Sequence, residues 1–172
     1  MSTVLGDKDE TSRFATRYIQ TTHCDLFFAD AIIIIEGAAE RMLLPHFIRC
    51  NYEKLNCRYI SILPINGRHM QRLKELLDKL ALPTLVITEI DTAESSGHHV
   101  ASVPKRESGL ISGNPAITNW FFNGENSYDA LLAKNQGEKI FQRTEIPDNC
   151  TCNYKMCLAY QIPVKETDGN AI

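Results

Sequence analysis

A run of five apolar residues that leads directly into carboxylates limits the fold of this chain more than any other feature. The run is Ala31 followed by four isoleucines, Ile32–Ile35. Glu36 and Gly37 come next, and Glu40 stands about one helical turn later. A short β-branched run without polar alternation is typical of a strand buried on both faces, as in parallel sheets covered by helices. Glu36 therefore follows the carboxyl end of such a strand, where open α/β sheets bind ligands.

The bulk composition indicates one ordinary globular domain. The chain has 172 residues, of which 44% are hydrophobic and 23% charged, and this length allows one sizeable core. The net charge of −3 provides no basic field, so any contact with DNA is expected to be local or metal-mediated. No apolar run approaches the roughly 18 residues of a membrane span, and no signal peptide is recognisable. We expect a cytoplasmic protein without a membrane segment.

The six cysteines are irregularly spaced, and we expect reduced thiols. Cys150, Cys152 and Cys157 form a cluster with three thiolates, which suits a structural zinc ion only if a fourth ligand comes from elsewhere. Incidental cysteines are the favoured interpretation, because no Cys-x-x-Cys pair accompanies the cluster.

From residue 31 onward the apolar pattern alternates between strand and helix. It predicts strands at 31–35, 59–65 and 84–88 and intervening helices at 38–50 and 68–81. Right-handed crossovers make the three strands parallel, so their carboxyl ends meet at one edge of the sheet.

The two helices differ in how clearly their apolar faces are marked. In the first, the expected buried face consists of Met42, Leu43, Phe47 and Ile48, and Pro45 is expected to end or kink the helix early. The second has five apolar residues at helical spacing, namely Met70, Leu73, Leu76, Leu77 and Leu80.

The chain changes character after Asp91. Residues 92–113 are expected to form a long loop at the site edge, followed by short helices at 116–122 and 127–134 and a late strand at 156–162.

Four carboxylates are expected to converge at the common edge. Glu36 and Glu40 follow the first strand, and Glu89 and Asp91 follow the third. Like charges so close raise one another's pKa unless a cation neutralises them, and Mg²⁺ is the hard ion that suits such a set. Two ions would allow one to activate water and the other to stabilise a leaving oxygen. The alternative is that Glu36 and Glu40 favour a helix N-terminus and that Glu89 and Asp91 solvate a turn.

Several motifs, taken together and in their order along the chain, resemble the Toprim domain of the overcoming-lysogenization-defect (OLD) family of ATP-dependent endonucleases. The similarity covers roughly residues 17–163. The segments that carry it are Asp25–Pro45, Asn66–Arg68, Leu82–Asp91, Gly113–Pro115 and Ala159–Gln161.

The resemblance implies a Rossmann-like α/β Toprim fold, with a mostly parallel sheet of about four strands and helices on both faces. It implies a metal-dependent endonuclease that hydrolyses phosphodiester bonds in DNA with one or two Mg²⁺ or Mn²⁺ ions. It assigns catalysis and metal binding to four acids, Glu36, Glu40, Glu89 and Asp91. The family's second acidic motif is usually Asp-x-Asp, and Glu89 departs from it by one methylene.

The resemblance also implies a domain plan. Residues 25–165 are expected to form the Toprim domain and 166–172 a flexible tail, while 1–24 are either the end of an ATPase domain or a polar segment. No Gly-x-x-x-x-Gly-Lys-Ser/Thr loop is present in the sequence. We therefore expect no ATP site in this chain and an ATPase partner outside it, in cis or in trans. The acidic residue and lysine that follow Ala159–Gln161 in relatives are unmatched. We therefore expect a fragment that is weak or inactive alone, with a homo-oligomer left open. A non-catalytic module that binds metal, DNA or a partner is the alternative.

Glycines and basic residues near the predicted edge form a second set of candidates. Gly37 is expected to permit a tight turn and close backbone approach, and Gly67 and Arg68 are expected near phosphate. For Arg68 a solvated helix start is an equal alternative.

Other basic candidates have surface alternatives. His98–His99 and Lys105–Arg106 lie in the predicted loop, where exposure to solvent is favoured over contact with phosphate. Thr21–His23 is similar to a histidine switch of the ATPase half in relatives. The alternative is that His23 is an ordinary histidine in a surface turn or in the core.

Overall fold

The computed structural model describes residues 24–95, 105–142 and 155–160, together with the single positions 13, 17 and 162. The predicted N-terminal segment and the predicted tail 166–172 lie almost entirely outside these residues, as do His23, His98, His99, Cys150 and Cys152.

A five-stranded sheet forms the centre of the described fold, in the order β2-β1-β3-β7-β6. The strands that build it are β1 (Ala31–Ile35), β2 (Ile60–Pro64), β3 (Thr84–Thr88), β6 (Ile140–Gln142) and β7 (Lys155–Tyr160). A separate antiparallel pair consists of β4 (Thr92–Ala93) and β5 (Ile111–Ser112). Strands β2, β1, β3 and β7 are all parallel, and β6 adds an antiparallel edge. The predicted α/β fold with a mostly parallel sheet is confirmed.

The helices that connect the strands follow the same order along the chain. They are α1 (Ala38–Asn51), α2 (Glu53–Asn56), α3 (Gly67–Met70), α4 (Lys74–Leu80) and α5 (Tyr128–Ala133). Short 3₁₀ turns cover Cys24–Phe28, Gln71–Leu73 and Gly137–Lys139, and a π-helix covers Ala116–Phe121. The predicted second helix is thus a near-continuous unit, α3 to α4, with a 3₁₀ turn at its middle.

The central strand β1 explains why the isoleucine run is uniformly apolar. It lies between β2 and β3, and Ile34 pairs with both Leu63 and Val86. Alternate isoleucines enter two different cores: Ile32 and Ile34 pack with α3, α4, the π-helix and α5, whereas Ile33 packs with α1 on the other face. Every side chain of the run except that of Ala31 is therefore buried.

The predicted buried face of α1 is wrong for three of its four residues. Ile48 is buried, but Met42 is 76% exposed and Leu43 and Phe47 are each 49% exposed. The core under α1 is small and is filled by the isoleucines of β1, Ile48 and a few half-buried neighbours. Helical periodicity identified an apolar stripe without specifying how much of it this core could cover.

The predicted early end of α1 at Pro45 is also wrong, because the helix continues to Asn51. A proline within a helix removes one backbone hydrogen bond and crowds the carbonyl four residues earlier. That carbonyl belongs to Arg41, and both Arg41 and Pro45 are exposed. Water can therefore replace the lost donor.

The stretch 92–113 is not wholly a loop. Its two ends pair as β4 and β5, with Thr92 opposite Ser112, which returns the chain to the sheet edge. Residues 96–104 within it are outside the described part.

In the part of the chain that is described, no helix has the length and apolarity to cross a bilayer.

Candidate acidic site

The first acid of the predicted site lies directly against the second acidic motif. Glu36 follows β1, Glu89 follows the neighbouring β3, and the parallel register brings the two strand ends together. Glu36 Oε2 accepts a hydrogen bond from the backbone N–H of Glu89 at 2.6 Å. The side chain of one motif is therefore held by the main chain of the other.

A glycine makes room for the Glu36 carboxylate. A Cβ placed on Gly67, at the start of α3, would lie 2.0 Å from Glu36 Oε1 and 3.0 Å from its Cδ. The Gly67 N–H also donates a hydrogen bond to the Glu36 carboxylate. Gly67 is thus required by the close approach of Glu36, which gives the predicted glycine a specific structural reason.

Partial burial and charge both disfavour ionised Glu36. Desolvation raises its pKa above the ordinary glutamate value, and the nearby Asp91 carboxylate raises it further. Hydrogen bonds from the Glu89 N–H, the Thr88 hydroxyl and the Gly67 N–H act in the opposite direction but do not cancel the burial effect. The site therefore holds a carboxylate whose charge would be better accommodated beside a cation.

Glu40 lies one turn into α1, on the same side as Gly37. Its Oε2 is 2.7 Å from the point where a Cβ on Gly37 would stand. Gly37 has φ −117° and ψ 171°, extended values that any residue adopts. The expected tight turn at Gly37 is therefore not what its backbone requires; the glycine instead leaves room for the end of a flexible glutamate.

The second acidic motif presents both of its side chains to solvent. Glu89 and Asp91 are exposed, while Ile90 between them is buried. Asp91 has φ 52°, in the left-handed region that short polar residues tolerate best among non-glycine residues. This turn directs the chain from β3 into β4 and carries one exposed acid before and one after the buried Ile90.

Comparison with known proteins agrees with this arrangement of strands and acids. A family model described as "Overcoming lysogenization defect protein-like, TOPRIM domain" matches residues 27–91, from the 3₁₀ turn before β1 to Asp91. Residues 27–91 are therefore similar to the Toprim domain of this family. The predicted resemblance is confirmed, and both acidic motifs lie within the matched part.

A curated relative supports the same assignment. The chain is 38% identical over 84 residues to a protein named Endonuclease GajA from Bacillus cereus (strain HuB5-5). The alignment covers 49% of this chain and 12% of the relative, so the chain spans only a small part of that protein's length. No solved structure matches the chain significantly.

The four acids of the Toprim segment do not form a ready-made cluster. Among the residues that the structure describes, no group of three or more His, Cys, Asp or Glu side chains is arranged to hold a metal ion. Glu36 contacts the main chain at Glu89, and Asp91 acts on Glu36 through its charge. The structure thus brings the two motifs together, while the four-carboxylate convergence stays a prediction.

The remaining basic and thiol candidates divide into described and undescribed groups. Arg68 lies in α3, at the expected sheet edge, but its side chain is outside the described part. Lys105 and Arg106 are exposed, and Arg106 acts electrostatically on Tyr128. Cys50, Cys57 and Cys157 are free thiols, as predicted; the zinc interpretation of the cluster falls mostly on undescribed residues.

Sequence reasoning did not identify Asn114 as part of the site. Its side chain is completely buried and donates hydrogen bonds to the Thr88 hydroxyl and the Glu89 carbonyl, each at 2.7 Å. The Asn-Pro pair at residues 114–115 was a weak signal, since it commonly marks a turn and does not indicate contact with β3.

Proposed function

We propose that the OLD-like Toprim segment is a metal-dependent DNA endonuclease domain that hydrolyses phosphodiester bonds. Glu36, Glu40, Glu89 and Asp91 would hold one or two Mg²⁺ or Mn²⁺ ions. The observation that carries the proposal is the bond between Glu36 Oε2 and the Glu89 N–H, which joins the two acidic motifs at the carboxyl edge of the parallel sheet.

The chemistry of the donors suits such an ion. All four side chains offer hard carboxylate oxygens, the ligands that Mg²⁺ and Mn²⁺ prefer. The half-buried Glu36, with Asp91 as a neighbouring negative charge, has a raised pKa that a bound cation would lower. Glu40 is half-buried and Glu89 and Asp91 are exposed, so their carboxylates are accessible to an arriving ion.

When bound, the metal would supply activated water and charge stabilisation for the leaving oxygen. The protein's own contribution is to orient the acids. Donors from Glu89, Thr88 and Gly67 fix the direction of the Glu36 carboxylate. The buried Ile90 anchors the turn so that Glu89 and Asp91 stay at the sheet edge.

DNA is the proposed substrate. The support is that the relative is named an endonuclease and that the proposed metal site suits phosphodiester hydrolysis. With a net charge of −3, the chain offers no broad basic surface, so binding would depend on the metal and on local cations such as the exposed Lys105 and Arg106. The family resemblance also supports an ATPase partner in cis or in trans.

A non-catalytic Toprim-like module is the second candidate. It is favoured by Glu89, whose extra methylene places a carboxylate farther from the main chain than aspartate would, and by the absence of a preassembled metal cluster among the described residues. Replacing Glu89→Asp separates the two candidates. If the domain is catalytic, restoring the shorter acid is expected to increase metal-dependent cleavage; if cleavage stays absent while metal or DNA still binds, the module is favoured.

Nicking of supercoiled plasmid DNA tests the main proposal. Because the chain is expected to be weak or inactive alone, the assay uses both the purified chain and the chain joined to the ATPase domain and the acid- and lysine-bearing segment of a relative. Cleavage should require Mg²⁺ or Mn²⁺ and should be lost in Glu36→Ala. Glu75→Ala, which removes an exposed acid from α4, is the matched control and should leave cleavage unchanged. Metal-dependent cleavage that survives Glu36→Ala at the wild-type rate would refute the assignment.

A further inference from the structure

The main chain that carries the second acidic motif is held by one short segment, Ser112–Asn114. Asn114 Nδ2 donates to the Glu89 carbonyl at 2.7 Å, and the Ser112 hydroxyl donates to the Ile90 carbonyl at 2.5 Å. The Gly113 N–H donates to the Asp91 carbonyl at 2.8 Å. Three consecutive carbonyls after β3 thus receive donors from three consecutive residues, which fixes the path of the turn that presents both exposed acids.

Asn114 is the member of this segment that uses every part of its side chain. It is completely buried, and its Nδ2 bonds to the Thr88 hydroxyl as well as to the Glu89 carbonyl. Its Oδ1 accepts the Ala116 N–H at 2.9 Å, at the start of the π-helix. A neutral amide provides both donors and an acceptor, a combination that neither a carboxylate nor an apolar side chain of this size can supply.

Asn114 also reaches the first acidic motif indirectly. The Thr88 hydroxyl that accepts from Asn114 is itself hydrogen-bonded to the Glu36 carboxylate. On the other side, Asn114 Nδ2 lies 2.9 Å from the Cβ position of Gly67, the glycine whose N–H bonds to Glu36. One buried amide therefore bonds to β3 and to the turn after it and lies next to the start of α3, all of which position Glu36 or Glu89.

The geometry points to Asn114 as a positioning residue that couples the two acidic motifs, an inference that rests on the proposed metal-dependent function. Asn114 holds the turn bearing Glu89 and Asp91 and, through Thr88, orients the Glu36 carboxylate. It acts through these residues, since its own side chain is buried behind them. Loss of such supporting hydrogen bonds typically lowers metal affinity or activity about 10- to 100-fold.

Three variants of the full chain test this role. Asn114→Asp keeps an acceptor for the Ala116 N–H but replaces the amide donors, and Thr88→Val removes the hydroxyl between Asn114 and Glu36 while keeping the shape. Thr84→Val is the matched control: Thr84 is also a buried threonine on β3, but its hydroxyl bonds to the Leu82 carbonyl at the opposite end of the strand. If Asn114→Asp does not fold, Thr88→Val carries the test.

The first readout needs no metal. Amide hydrogen exchange measured by NMR reports on the Glu89 N–H, which is donated to Glu36. We expect exchange at Glu89 to be at least about tenfold faster in Asn114→Asp and Thr88→Val, and unchanged in Thr84→Val. Equal exchange at Glu89 in wild type and both site variants would overturn the inference.

The second readout is the Mn²⁺ concentration that gives half-maximal DNA nicking. It should rise about tenfold or more in Asn114→Asp and Thr88→Val and stay within about twofold of wild type in Thr84→Val. A purely structural role would lower stability in all three variants without raising the Mn²⁺ requirement, and that result would refute positioning. If the wild type does not cleave even when it is joined to the ATPase domain and the acid- and lysine-bearing segment of a relative, but exchange at Glu89 still responds, the proposed function fails and the structural coupling stands.

Discussion

Replacement of Gly67 by alanine tests whether the site depends on the contact between α3 and the Glu36 carboxylate. The added Cβ would lie 2.0 Å from Glu36 Oε1 and 2.9 Å from Asn114 Nδ2. A Cβ essentially never lies within about 3 Å of another heavy atom, so the carboxylate must move by roughly 1 Å. A shift of that size stretches or breaks the hydrogen bonds that Glu36 accepts from the Glu89 and Gly67 N–H groups.

The expected cost follows from these lost contacts. Overpacking costs about 1–3 kcal/mol, and each charge-assisted hydrogen bond contributes roughly 1.5–3 kcal/mol when buried, less here because Glu36 is only half-buried. Alanine in a helix recovers about 0.5–1 kcal/mol relative to glycine. We therefore expect Gly67→Ala to lower the free energy of unfolding by about 1–2 kcal/mol, measured by urea denaturation followed by circular dichroism.

A double-mutant cycle isolates the cause of that loss. In a Glu36→Ala background the clashing carboxylate is gone, so Gly67→Ala should be much less destabilising than in the wild type. Gly37→Ala is the control, because the Cβ there meets only the flexible end of Glu40 and should cost little. An equal cost of Gly67→Ala in both backgrounds, or no cost in the wild type, would refute the steric reasoning.

Further predictions concern pH and packing. Because burial raises the Glu36 pKa, protons should begin to displace Mn²⁺ at a higher pH than ordinary glutamate would allow; calorimetric affinity that is flat down to the normal glutamate range would contradict this. Tyr160 is buried and donates to the Leu131 carbonyl, so Tyr160→Phe should cost about 1 kcal/mol in urea denaturation. Burial raises the pKa of Tyr160 to about 12, so the stability that its neutral hydroxyl provides is complete below a pH of about 10 and is lost as the pH rises through 12. Tyr160→Phe should not show this alkaline loss of stability. On α1, Phe47→Gln should change the free energy of unfolding by less than about 0.5 kcal/mol, while Ile48→Ala should lower it by about 2–5 kcal/mol, since only Ile48 of the two is buried. Similar losses in the two variants would show that the face bearing Phe47 is packed.

Much of the sheet could be predicted because its signals are local. A β-branched apolar run such as Ile32–Ile35 favours a strand whatever surrounds it, and handedness then makes successive crossover strands parallel. Placing Glu36 beside Glu89 also requires β1 and β3 to be neighbours in register, which the structure shows. The short edge strand β6 was missed, since three residues carry too little pattern to distinguish a strand from a loop.

Helix α1 shows where a pattern is insufficient. Its apolar residues recur at helical spacing, but burial depends on the area of sheet beneath the helix, and that area accommodates Ile48 while Phe47 stays half-exposed. The effect of Pro45 similarly depends on whether the freed carbonyl of Arg41 reaches solvent. Both outcomes are properties of the packed chain.

The sequence by itself determined the parallel α/β sheet and the position of two acidic motifs at the ends of its strands, because hydrophobic periodicity and strand handedness act over a few neighbouring residues. Only the tertiary structure decided which atoms hold those acids. Glu36 is oriented by Gly67, Thr88 and the main chain of Glu89, and Asn114 joins them from a position 26 residues after Thr88, the last residue of β3. Such contacts join residues that are distant along the chain, so their geometry arises only when the separate elements pack together.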